Sequence, residues 1–89
     1  MNTRFLLMAQ YEGLAVIPLD RVCRDYFTHL TPNVLARKIL FGEVRLPLIR
    51  IEGGSQKSAR GVHVEDLADW IDARRAAAAK ELNQMTGET

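Results

Sequence analysis

Thr31 and Pro32 on one side and Gly42 on the other bracket the segment "PNVLARKILF". Threonine is a good helix N-cap, proline fits the first helical position where its missing N–H costs nothing, and glycine is the natural residue just past a helix end. The segment before it, "LDRVCRDYF", repeats Leu19, Val22, Cys23, Tyr26 and Phe27 at three- and four-residue spacing and leaves Arg21, Arg24 and Asp25 outside. Only "THLTP" separates the two. Two short helices joined by a tight turn cannot each bury an apolar stripe alone, so the rest of the chain must cover them. This is the punctuation of a helix-turn-helix.

The remaining segments fit around that pair. "RFLLMAQY" is a short apolar run that predicts a strand or extended segment, with helix as the rival reading. "LAVIP" predicts a second extended piece, since Pro18 discourages helix at Ile17. After Gly42, "EVRLPLIRI" reads as extended, with Pro47 arguing for an edge position or a strand start. "GVHV" returns antiparallel to it across a polar loop that contains Gly53 and Gly54. "EDLADWIDARRAAAAKEL" is a helix over 65–82, with Leu67, Trp70, Ile71 and Ala78 along one side and acids crowding its first turns. Residues 83–89 are expected to fray. The order predicts an α+β fold, a small winged helix-turn-helix over residues 1–82. Its parts are a short N-terminal strand, the helix pair, a β-hairpin wing and a C-terminal helix.

Chain totals restrict function less than charge placement does. Eighty-nine residues with 47% hydrophobic side chains describe one globular domain, and the net charge is only +1. Residues 37–60, however, hold Arg37, Lys38, Arg45, Arg50, Lys57 and Arg60 against Glu43 and Glu52, a local balance of +4. From Gly61 onward Arg74, Arg75 and Lys80 face Glu65, Asp66, Asp69, Asp72, Glu81 and Glu88, a balance of −3. A basic middle beside an acidic segment suits one face meeting a polyanion. Cys23 is the single cysteine. No disulfide framework or cysteine-based zinc site can be built from it, and its place on the apolar side of its helix reads as core. The N-terminal apolar run is too short for a membrane span and too soon interrupted for a signal peptide. The expectation is a soluble cytoplasmic protein.

Nothing in the sequence assembles a catalytic or metal site. His29 and His63 are far apart, the acids of the last helix are explained by its dipole, and "GGSQKS" fails the P-loop pattern because Gln56 precedes Lys57. No cofactor is expected. The candidate residues are instead those of a nucleic-acid interface. In the helix over 32–41, Leu35, Ala36, Ile39 and Leu40 form the inward stripe, leaving Asn33 and Arg37 on the opposite arc with Lys38 beside them. Asparagine pairs two-pronged with adenine and arginine with guanine, so these types suit base reading. In the hairpin, Arg45, Ser55, Gln56, Lys57, Ser58 and Arg60 offer cationic, amide and hydroxyl donors that phosphate oxygens accept. Trp70 reads as a core contact with a dimer anchor as its rival. The segment Ala76–Ala79, where a second helix could approach closely, is left open between the two.

"FLLMAQY", "VIPLDRVCRDYF" and "LPLIRIEGGSQKSARGVHVEDLADWID" together resemble the pyocin activator protein family and its prophage relatives. The layout is similar, more distantly, to phage excisionases and the winged-helix heads of the MerR type. The resemblance runs from Phe5 to about Arg75 and is most specific where the loop joins the final helix. It implies a DNA-binding transcriptional activator of phage-tail-like bacteriocin or other prophage genes, acting at a short promoter element. One module of this size offers limited specific interface. The expected partners are therefore double-stranded DNA, a second copy of the chain in a dimer or multimer, and RNA polymerase. An excisionase-like DNA-bending protein and an anti-repressor that meets protein instead of DNA are the alternatives.

Overall fold

The computed structural model describes residues 2–51 and 59–86, and the expected wing-tip residues Ser55, Gln56, Lys57 and Ser58 lie outside them. Among the described residues the order is α1 (Thr3–Gln10), β1 (Val16–Pro18), α2 (Leu19–Tyr26), α3 (Pro32–Leu40), β2 (Ile49–Arg50), β3 (Arg60–His63) and α4 (Val64–Thr86). The fold is α+β, as expected, with four helices and one antiparallel three-stranded sheet in the order β1-β3-β2.

The first element corrects the sequence reading, because "RFLLMAQY" is helical through Gln10, with Tyr11 as its C-cap, and not a strand. Asn2 caps α1, its side-chain oxygen accepting from the Arg4 N–H at 2.8 Å. At the other end Gly13 N–H donates to the Met8 carbonyl and Glu12 N–H to the Ala9 carbonyl. Glu12 and Gly13 both take positive φ there, at 55° and 80°. That is the reverse turn of a Schellman cap. Leu7 and Tyr11, one turn apart, are buried, while Phe5, Leu6 and Met8 stay exposed. Polar clamps then fix α1 along α4: Arg4 reaches Asp69 at 3.1 Å and Glu65 at 3.8 Å, and Thr3 Oγ1 donates to Asp72 at 2.7 Å. The N-terminal strand of the expected fold is β1 alone.

The helix pair forms as the caps dictate. Thr31 Oγ1 accepts from the Val34 N–H at 3.3 Å, and Gly42 takes φ +77° with its N–H on the Ile39 carbonyl. Cys23 is buried in the core and its thiol donates to the Leu30 carbonyl at 3.0 Å, tying the turn back onto α2. Burial pushes that thiol's pKa up. The extended segment after Gly42 pairs at an edge of the sheet, with Ile49 opposite Gly61 and Arg50 opposite Arg60, and the Ile51 N–H donates to the Ala59 carbonyl beyond them. His63 ends β3 and caps α4, its Nδ1 accepting from the Glu65 N–H at 3.1 Å. Helix α4 then runs through Thr86, past the expected end at Leu82.

One core joins these parts, with Ile17, Leu19, Val22, Phe27, Leu35, Leu46, Val62 and Leu67 among its buried side chains. Trp70 is half-buried against it, its ring 5.0 Å from that of Phe27. Tyr11 closes one end. It is fully buried, yet its hydroxyl donates to Asp25 at 2.6 Å. That bond, with help from Arg24, holds the Asp25 carboxyl below its ordinary pKa, while burial and then Asp25 push the tyrosine's up. A depressed carboxylate contributes stability above its unfolded pKa and loses it as pH falls through the folded value. Tyr11→Phe is therefore expected to cost on the order of 1 kcal/mol at neutral pH. The difference from wild type should shrink on acidification below about pH 4. Urea melts across that range check it, and a penalty that does not vary with pH would break the link to Asp25.

Candidate nucleic-acid interface

Helix α3 presents its outer face because the inner one is committed to the core. Leu35 and Ala36 are buried and Ile39 packs against them, so the opposite arc must face solvent. Asn33 and Arg37 are exposed there, one turn apart. Leu40 corrects the expected inward stripe: it is 64% exposed, and Phe41 beside it is 73% exposed. Positions 33, 37, 40 and 41 recur at helical spacing, so two polar and two large apolar side chains share one outward stripe. The sequence reading missed Phe41. Its signal was the same spacing, hidden by the assumption that apolar means inward.

The hairpin base meets the start of this helix. Arg60, half-buried on β3, donates through Nη2 to Asn33 Oδ1 at 3.0 Å, across residues far apart in sequence. Arg50 stands directly opposite Arg60 in the β2–β3 register, and it is exposed. Side chains of a directly opposed pair project from the same side of a sheet, and like charges placed so repel. Arg50 was not among the expected contact residues. Only the register of the hairpin brings it to Arg60. Pro18, Asp20, Pro32 and Ala59 line a shallow cleft of about 240 Å³ with Arg60, between the starts of α2 and α3 and the hairpin base.

The other two candidates are placed differently. Lys38 is half-buried, and its ammonium lies 3.9 Å from Glu43 in a loose ion pair at the end of α3. Arg45 is exposed but away from Asn33: its neighbours are Trp70 and Arg74 across one cleft and Ile39 across another. Among the described residues no group of three histidine, cysteine or acidic side chains could hold a metal ion, and no helix is long and apolar enough to cross a membrane.

The family model described as "Pyocin activator protein PrtN" matches residues 3–78, from the start of α1 to well into α4. The chain belongs to the pyocin activator protein family. That match covers the helix pair, the hairpin and the Asn33–Arg60 contact together, so the site described above lies wholly within the part of the chain that carries membership. Pyocin activators are regulatory proteins, and an activator role in pyocin or prophage gene expression follows for this chain. No curated protein and no solved structure matches it.

Proposed function

We propose that this pyocin activator family member is a sequence-specific DNA-binding protein that works as a winged helix-turn-helix. Helix α3 enters the major groove, where Asn33 and Arg37 reach base edges and Leu40 and Phe41 meet thymine methyl groups. The β2–β3 hairpin is the wing. Arg50 and Arg60 at its base grip phosphates, and Ser55, Gln56, Lys57 and Ser58, which lie between its strands in sequence, add donors for them. The single observation that carries this reading is the Arg60–Asn33 hydrogen bond beside the Arg50–Arg60 pair. It joins the hairpin base to the start of α3 in one basic, polar surface, and it opposes two cations whose repulsion a bound phosphate would relieve. Lys38 and Arg45 take secondary places, as flanking contacts to the backbone. The protein acts on DNA in the cytoplasm, with RNA polymerase as the partner that binding recruits.

A salt titration of binding to a labelled promoter fragment and to a scrambled one tests this. Wild type should prefer the promoter. Lys57→Ala/Arg60→Ala should make the log–log slope shallower by roughly one to two. If neither fragment binds at physiological salt, the basic surface serves a protein partner and the anti-repressor reading replaces this one. Tandem filling of sites with bending and no stimulation of transcription would instead mark an excisionase-like architectural role.

A further inference from the structure

Helix α4 begins as a core element and ends as something else. Leu67 and Ala68 are fully buried and Ile71 is half-buried, but from Asp72 to Met85 every residue except Ala77 is exposed. The apolar face does not stop where the body of the protein stops. Leu67, Ile71, Ala78, Leu82 and Met85 follow one another at four, seven, four and three residues, a single line along the helix. Its distal part is largely exposed to solvent, Leu82 at 60% and Met85 at 85%. The projection stretches the molecule to 49 × 29 × 19 Å, with a radius of gyration of 14.8 Å. A compact chain of this length would have roughly 12 Å. A helical segment this short is marginal in water without a packed face.

We propose that the distal half of α4 is a self-association surface, two copies pairing antiparallel about a two-fold axis at Ala78. The choice of a second copy comes from complementarity within the segment itself. About that axis Ile71 of one copy lies level with Met85 of the other, and Leu82 lies level with the aliphatic stem of Arg74. Glu81 falls on the same flank as the partner's Arg74, within one residue of the same level, so two opposite-charge contacts form by symmetry. In an antiparallel pair a flank always faces the same flank, and this flank carries one charge of each sign at matching distances from the centre. Ala78 and Ala77 at the middle let the backbones come close. The cleft of about 340 Å³ between Gly42–Arg45 and Trp70–Arg74 lies at the height where the partner's Met85 arrives. This resolves the alanine segment in favour of an interface, while Trp70 stays with the core.

Sedimentation equilibrium of the full chain, without DNA, is the test. Wild type should sediment as a monomer–dimer equilibrium. Ala78→Glu, which sets two carboxylates face to face on the axis, should leave monomer only, with the circular dichroism of a folded chain. Arg74→Glu and Glu81→Arg should each raise the dissociation constant roughly tenfold or more, and the two together should restore it. Within one chain these residues are two turns apart, about 10 Å along the axis, so rescue by the double swap can only act between copies. A wild-type monomer at hundreds of micromolar overturns the proposal. So does a dimer that ignores Ala78→Glu or is not rescued by the double swap. Because DNA is absent, these outcomes are independent of the DNA-binding reading, and loss of that reading leaves them standing. With both in place, the two-fold axis predicts an inverted repeat in the target.

Discussion

Gly61→Ala is expected to destabilise the fold by about 3 kcal/mol or more, the upper end of the ordinary cost of overpacking. Gly61 is buried at the centre of the sheet, with Pro18 of β1 opposite on one side and Ile49 of β2 on the other. A Cβ added there would sit 2.6 Å from the Ile17 carbonyl oxygen and 2.7 Å from Val16 Cγ1. The first of these is backbone and cannot swing aside. Relief requires β1 to move off β3, and Ile17 and Val62, both fully buried, would separate with it. Glycine is ordinarily a poor choice inside a strand, costing roughly 0.5–1 kcal/mol relative to alanine. Here that preference is reversed by contact. For a domain of this size the melting temperature should fall by roughly 12–24 °C. Since the same residue closes the hairpin base, Arg50 and Arg60 should lose their register, and affinity for DNA should fall in the folded fraction. A melting temperature within two or three degrees of wild type would show that β1 is not held as closely to β3 as described.

Why the helix pair could be read from sequence while α1 could not is a matter of where the stabilising partners lie. Thr31, Pro32 and Gly42 act within a turn of themselves, and Gly42 does take the positive φ that its position demands. The apolar positions of α2 likewise needed no distant knowledge. In α1 the apolar residues Phe5, Leu6, Leu7 and Met8 run consecutively, and such a run has no period of its own. What selects helix is the Asn2 cap, the Leu7–Tyr11 spacing and the clamps to Asp69 and Asp72, whose other ends lie more than sixty residues away. The acids of α4 were explained by the helix dipole. That explanation is sound but incomplete, since Arg4 and Thr3 use them to seat α1. At the candidate site, Asn33 and Arg37 were legible from helical spacing alone. The Arg60 contact and the addition of Arg50 depend on the register of β2 on β3, which no local pattern encodes.

Arg37→Ala should cost on the order of 1–3 kcal/mol at the preferred DNA site, roughly five- to 150-fold in affinity, and should do so unevenly across sequences. Arg37 is the exposed cation on the outward stripe of α3, and no ion pair holds it among the described residues. A free, planar guanidinium one turn from the helix start can pair two-pronged with guanine O6 and N7. On the proposed DNA-binding reading, losing that pair would remove the discrimination at one base pair and leave the proposed phosphate contacts of the hairpin intact. Binding measured against every single base-pair variant of the promoter site should therefore show one position flattened in the mutant and the rest unchanged in rank. Lys38→Ala is the internal comparison. Its ammonium is already engaged with Glu43, so its loss should be smaller and uniform over all sequences. Arg60→Ala differs from both: it removes a cation and also releases the Asn33 amide, so on the proposed reading it should weaken every site and blur the position assigned to Asn33. If Arg37→Ala weakens all variants equally, the stripe of α3 touches phosphate only, and sequence must be read elsewhere on the molecule.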